Sequence, residues 1–355
     1  MTHDVSLDAP AGGAGPAAPL AAGALMGAEI AEQPAVLARL LADGATEIAA
    51  TAARIAARRP RFVLLAARGT SDHAALYAKY LIEVRLGLPV GLVSPSTMTV
   101  YGARPDLGEA LFIAVSQSGG SPDLVDSLTV ARECGALTVA VTNNLASPLA
   151  QAAELGVDVR AGAERAVAAT KSYTAELLAL YLMIAGADGP LAAAALPEAA
   201  NRTLAGSDPK LLAAKYRFAD RMVTTGRGYS YPTARETALK LMETSYLSAQ
   251  AFSGADVLHG PLAMIDAGVP VIVVAPPGRG GAAMAPVVAK LRAAGADVLC
   301  VGADDGVPLA SAGVAEELLP ILEIMPMQQL AWQLALDRGN DPDRPRGLSK
   351  VTQTW

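Results

Sequence analysis

The sequence predicts an α/β protein made of two tandem units, each a parallel sheet flanked by helices. Three observations carry this reading. Between residues 62 and 142, short β-type runs alternate with amphipathic helical stretches, as in a parallel sheet covered on both faces. The same succession of strand and turn then returns in the second half of the chain. Landmarks in the two halves also keep a nearly constant separation: Gly69 and Gly226 lie 157 residues apart, while Ser116 and Pro276, and Ala136 and Ala296, lie 160 apart. Duplication of one α/β unit accounts for such a spacing.

In chain order, residues 1–22 are rich in Ala, Gly and Pro from Ala9 onward and are expected to form a disordered tail. In the segment 23–60 apolar positions recur at helical spacing until Pro60, with a break expected near Pro34. The first unit, 45–190, carries strand-like runs at 62–67, 90–93, 111–115 and 137–142. A Pro- and Ala-rich stretch, 189–201, leads to the second unit, 210–340. Its strand-like runs at 222–225, 269–275 and 298–302 end in Gly226, Pro276 and Ala303, and helices are expected over 234–248 and 327–337. The final segment, 341–355, is interrupted by Pro342 and Pro345, and has the length to fold back over a pocket and carry Lys350 into it.

Composition narrows the function. With 28 Lys+Arg against 34 Asp+Glu, a net charge of −6 and 52% hydrophobic residues, the chain is neither disordered nor built for nucleic acid. Only 4% of residues are aromatic, so the core is expected to be packed with small side chains. Cys134 and Cys300 lie far apart, with no metal-ligand spacing, and are expected to be buried thiols; neither a disulfide nor a metal site is expected. The longest apolar run, 177–187, falls short of the roughly 20 residues of a membrane span. Residues 9–27 are uncharged but broken by Gly and Pro with no basic stretch before them, so a cytoplasmic chain without a membrane partner is expected.

Two loops attract attention. The run 62–67 opens into Arg68-Gly69-Thr70-Ser71 and a helix whose first N–H groups favour an anion, although Thr and Ser are also ordinary helix caps. The run 111–115 ends in Ser116-Gln117-Ser118-Gly119-Gly120-Ser121, where three hydroxyls, an amide and two glycines offer the neutral donors a phosphate monoester needs. Ligands of open α/β sheets bind at these carboxyl ends. In the second half, Lys240 and Glu243 share a helix face, for which a surface ion pair is the plain alternative, and His259 is fixed before Gly260-Pro261 as a candidate acid/base. His73 reads as a first-turn packing or surface residue, and His3 belongs to the tail.

Together with Ala168-Ala169-Thr170-Lys171 and the tail Pro345-Arg346-Gly347-Leu348-Ser349-Lys350, these motifs resemble the sugar isomerase (SIS) family. The likeness runs from about residue 25 to the end, and is greatest to the isomerase half of glucosamine-6-phosphate synthase and to the type II glucosamine-6-phosphate deaminases. The resemblance implies two flavodoxin-like subdomains, a sugar 6-phosphate substrate, no cofactor, and a homodimer with active sites completed across the interface. It places Gly69, Thr70, Ser71, Ser116, Gln117, Ser118, Ser121 and Ser349 among the phosphate and sugar contacts, with a backbone contact at Val167. It makes Glu243 the base that moves a proton between C1 and C2, Lys240 its companion, His259 the ring-opening residue of the other subunit, and Lys350 the counterpart of a lysine that forms an imine in the synthase.

Two departures from the synthase pattern favour deamination to a ketose. The chain begins Met1-Thr2-His3 without a cysteine nucleophile, from which no glutamine-fed synthesis by this chain alone is expected. Ser121-Pro122-Asp123 is also more similar to the deaminase branch. Three other readings stay open: an isomerase served by a separate ammonia source, an enzyme for a galactosamine, fructosamine or N-acetylated sugar phosphate, and a non-catalytic sugar-phosphate sensor.

Overall fold

The computed structural model describes residues 20–303 and 305–350. The expected N-terminal tail, with His3, therefore lies almost entirely outside the described residues, as do residues 351–355 of the C-terminal tail.

The chain enters through two helices, Ala24–Ala31 and Gln33–Arg39, separated at Glu32. The expected break near Pro34 falls at Glu32, and Pro34 sits in the first turn of the second helix, where a missing N–H costs nothing. A π-helical turn, Leu40–Gly44, leads into Ala45–Arg58, which ends at Arg59 in a left-handed conformation just before Pro60.

The first sheet contains β1 (Phe62–Ala66), β2 (Val90–Leu92), β3 (Ala110–Ser116), β4 (Leu137–Thr142) and β5 (Leu155–Asp158). All pairs are parallel, in the order β2-β1-β3-β4-β5, which is the flavodoxin-like arrangement. The second sheet, β6 (Arg221–Gly226), β7 (Ser248–Ser253), β8 (Pro270–Val274) and β9 (Asp297–Val301), repeats that order without a fifth strand, as β7-β6-β8-β9. Beyond β9, Val307 makes only an isolated parallel bridge to Val301.

Periodicity did not reveal two of these strands. In β5 only Leu155 and Val157 are buried, and β7 is the edge strand Ser-Ala-Gln-Ala-Phe-Ser, with little apolar signal. The helix expected over 234–248 in fact runs Tyr231–Ser245. Tyr246 then adopts a left-handed conformation that turns the chain toward β7. The last helix is longer than expected, Leu319–Asp337, and passes through Pro326.

Helix Lys171–Ala185 is the spine of the first unit, with every residue from Lys171 to Met183 buried. With its helical continuation to Ala192 it makes a stretch of 22 residues that contains an 18-residue window of mean hydropathy 1.3, enough by length and composition alone to cross a membrane. Its side chains are instead spent on the protein core, against helices Ala45–Arg58 and Thr70–Leu81. Helix Tyr231–Ser245 packs on Thr70–Leu81 and on Leu319–Asp337, so one continuous apolar core runs through both units. Cys300 is buried as expected, whereas Cys134, at a helix end, is half-buried.

Candidate active site

The strand order reverses between β1 and β3, and the carboxyl ends of these two strands open into a cleft of about 300 Å³. After β1 the chain turns through Gly69, whose φ of 56° and ψ of −130° suit glycine, into helix Thr70–Leu81. After β3 it passes Ser116, Gln117, Ser118 and Ser121 into helix Pro122–Glu133. Gly119 is also required: its φ is 62°, and an added Cβ would lie 2.1 Å from Ser147 Oγ.

Hydrogen bonding separates the hydroxyls into two kinds. Ser116 Oγ accepts the N–H of Gly119 at 3.2 Å and Ser118 Oγ that of Gly120 at 3.3 Å. Both hydroxyl hydrogens are left for a ligand. Thr70 Oγ1 instead donates to Glu236 at 3.0 Å while accepting from Lys240 at 3.0 Å, and Ser71 Oγ lies 2.9 Å from Glu176. Thr70 therefore lines the cleft with its hydrogen already committed.

The opposite wall comes from the second unit. Helix Tyr231–Ser245 brings Glu243 to the cleft, with Lys240 one turn behind it. The pair is no surface bridge. The Lys240 side chain is 1% exposed, and its ammonium reaches Glu243 at 2.6 Å and Glu236 at 3.3 Å. Burial alone would favour the neutral amine, but Glu236 and Glu243 outweigh it and hold the Lys240 ammonium well above its ordinary range. Glu236, itself fully buried, also takes a 2.7 Å contact from His73 Nδ1. His73 is thus a buried partner in this network.

The C-terminal segment closes the third side. Asp341 accepts the N–H of Gly23, and Asp343 accepts those of Leu25 and Met26 at 2.9 and 2.8 Å, at the N-terminus of helix Ala24–Ala31. The N–H of Arg346 donates to Tyr246 Oη, and its guanidinium stands 4.0 Å over that ring. The chain then delivers Leu348, Ser349 and Lys350 into the cleft. Lys350 Nζ donates to Glu164 at 2.9 Å and to the carbonyl of Ala166 at 2.7 Å. Burial pushes the Glu164 carboxyl upward, but Lys350, the Ser172 hydroxyl and the N–H groups of Ser172 and Thr170 outweigh it and keep it below the usual carboxylate range. Val167 lines the cleft beside this pair, with its N–H bonded to the Asp343 carbonyl at 3.2 Å.

The cleft therefore gathers Gly69, Thr70, Ser71, Ser116, Gln117, Ser118, Ser121, Val167, Glu243, Ser349 and Lys350. Lys240 stands directly behind the wall. His259 does not join them: it is exposed, at the end of the short 3-10 turn Asp256–Leu258, and lines no part of the cleft.

Sequence reasoning missed Arg68, which pairs with Asp123 at 2.7 Å at the cleft edge, and the buried acids Glu164, Glu176 and Glu236. Glu236 was legible as the residue four before Lys240, and Glu176 as a lone acid inside an apolar helix. Glu164 lies in a loop whose pattern carries no such signal.

The SIS domain family model matches residues 58–186 and 215–331. Glutamine–fructose-6-phosphate aminotransferase (isomerizing) of Methanothermobacter thermautotrophicus is 37% identical over 302 residues, 81% of this chain and 51% of that protein. The protein of the same name from Acidithiobacillus ferridurans is 34% identical over 358 residues, 91% of this chain and 57% of its own. The chain thus spans about half the length of the curated relatives it matches. Among solved structures, a "putative phosphosugar isomerase" from Silicibacter pomeroyi shares 36% identity with a TM-score of 0.81, over 89% of this chain and 99% of its own. Glucosamine-6-phosphate deaminase from Thermotoga maritima superposes with a TM-score of 0.77 over 93% of this chain and all of its own; at 22% identity this is a likeness of fold. The family match falls separately on each of the two α/β units that the sheet order shows to be repeats, and on that ground this chain belongs to the SIS domain family.

Proposed function

We propose that the cleft binds glucosamine 6-phosphate, and that the protein converts it to fructose 6-phosphate and ammonia. The observation that carries this reading is one carboxylate, Glu243, backed by a buried ammonium and lining the same cleft as a loop of hydroxyls with hydrogens to donate. The names of the relatives, which act on fructose 6-phosphate or are phosphosugar isomerases, support the substrate class. The Ser121-Pro122-Asp123 sequence supports deamination over synthesis.

The residues suit the chemistry. Ser116, Ser118 and Ser121, with backbone N–H groups, hold the phosphate at the switch point. Once the ring is open, Glu243 takes the proton from C2 of the aldehyde and returns it to C1, while one proton of the C2 ammonium passes to the C1 oxygen, leaving a hydroxyl at C1 and an iminium at C2. Water adds to C2, ammonia leaves, and the ketone of fructose 6-phosphate remains. Lys240 holds Glu243 in place through their 2.6 Å ion pair. Lys350, held by Glu164 and by the Ala166 carbonyl, faces the part of the cleft where the sugar would lie.

His259 is exposed and outside its own chain's cleft, so we assign it to the cleft of a second copy, where it opens the ring. Mixed Glu243→Gln and His259→Ala chains should then regain part of the activity that each lacks alone. Heterodimers that form and stay inactive would return His259 to a structural role.

The reaction is tested by supplying purified protein with glucosamine 6-phosphate and measuring ammonia and fructose 6-phosphate, which should appear in equal amounts. Interconversion of fructose and glucose 6-phosphates without ammonia release would make the protein a plain isomerase. Binding of these sugars without turnover would make it a sensor.

A further inference from the structure

Glu176 is a buried acid that the proton shift between C1 and C2 does not use. It is 1% exposed, on the innermost helix, Lys171–Ala185. One carboxyl oxygen lies 2.9 Å from Ser71 Oγ, and the other is fully buried with no hydrogen-bond partner among the described residues. An ionised carboxylate accepts at both oxygens and is costly to bury when one of them is unpaired. A neutral carboxylic acid fits the same place with less penalty, and its single hydrogen has an acceptor at hand in Ser71 Oγ. The two protonation states give Ser71 opposite polarities. Against a carboxylate, Ser71 must donate inward and turn a lone pair to the cleft. Against the acid, it accepts from behind and offers its own hydrogen to whatever lies in front.

We propose that Glu176 is a neutral acid that positions the Ser71 hydroxyl as a donor to the anionic ligand of the cleft, so that alkaline solution weakens ligand binding by ionising it. The inference rests on the reading of the cleft as a sugar-phosphate site.

The surroundings agree. Burial, followed by the neighbouring carboxylates Glu164 and Glu236, raises the Glu176 carboxyl to about 8, against the opposing influence of Ser71 and of Lys350. Tyr173, one turn before it on the same helix, is a buried phenol held well above its usual range, so it contributes no titration near neutrality. His73, two residues beyond Ser71, is turned to Glu236. The bound state needs the proton on Glu176, so raising the pH through that value removes it and loosens the ligand.

The test is calorimetric titration with glucitol 6-phosphate, an open-chain sugar phosphate without a carbonyl to react, between pH 7 and 9, where its phosphate stays doubly charged. The wild-type dissociation constant should be about tenfold larger at pH 9 than at pH 7, following a single proton with a midpoint near 8. Glu176→Gln, whose amide donates to Ser71 at every pH, should bind with nearly wild-type affinity and no such dependence. Ser71→Ala should bind more weakly, also without it; should Glu176→Gln fail to fold, this variant decides. A tenfold loss that persists in either variant, or a flat wild-type profile, would overturn the role of Glu176. Failure of the wild type to bind at any pH would instead overturn the sugar-phosphate reading, and this inference with it.

Discussion

Removing the charge of Glu164 should loosen the C-terminal segment by an amount that the surroundings of Lys350 set. The carboxylate is fully buried and Lys350 is 24% exposed, so the pair lies between a surface bridge, worth at most about 1 kcal/mol, and a buried one, whose breakage costs about 3–5 kcal/mol. A hydrogen bond to a charged group, about 1.5–3 kcal/mol, is the appropriate scale. Glu164→Gln keeps a carbonyl for the N–H groups of Thr170 and Ser172, now 2.9 and 3.0 Å from Oε1, and removes the charge. Lys350→Met removes the other partner at similar volume. The reporter is the Val167 amide, which donates to the Asp343 carbonyl of the docked segment. Its hydrogen-exchange protection should fall about 10–100-fold in either variant, and little further in the double variant. Because the folded carboxyl lies below its ordinary 4.5, the contribution is fully present above that pH and is lost as pH falls through the lower folded value. Wild-type protection should therefore hold from pH 7 to about 4.5 and decline below. Unchanged Val167 exchange in both single variants, or strictly additive losses, would refute the pair as the latch of this segment.

Three other outcomes follow from the same geometry. Ser116→Ala should raise KM about tenfold or more with little change in kcat, by loss of one bond of about 1.5–3 kcal/mol to a charged phosphate; an unchanged KM would remove the loop from phosphate binding. Glu243→Gln should slow exchange of the C2 proton with solvent deuterium by about 10²–10⁴-fold while sugar phosphate still binds, and wild-type exchange would reduce Glu243 to a partner of Lys240. Glu323, buried and bonded to Ser230 and Thr233 at 2.8 and 2.7 Å, has its carboxyl raised by burial from 4.5 to about 7. Between these values only the folded state holds the proton, so this group lowers stability by about 1.4 kcal/mol per pH unit as pH rises; urea denaturation of Glu323→Gln beside the wild type should show that slope removed.

The repeated α/β order, the strands β1, β2, β3, β4, β6, β8 and β9, and the hydroxyl loop after β3 were readable because their signals are local. An apolar run of four to seven residues that gives way to turn-forming residues is visible in any window that contains it. Edge strand β7 was not, since one of its sides has no sheet neighbour and its polar residues break the pattern. The Lys240–Glu243 spacing showed a pair, but a helix face does not reveal whether it meets water or protein.

Sequence alone therefore determined the fold class, the switch-point loops and most of the residues that line the cleft, because a βα turn places its own side chains at the strand end. Only the tertiary structure decided the polarity of those side chains. Thr70 and Ser71 meet Glu236 and Glu176 from helices 166 and 105 residues away, and Lys350 meets Glu164 across 186. A hydroxyl's direction and a carboxyl's charge depend on whatever is packed behind them, and in this protein that is another part of the chain.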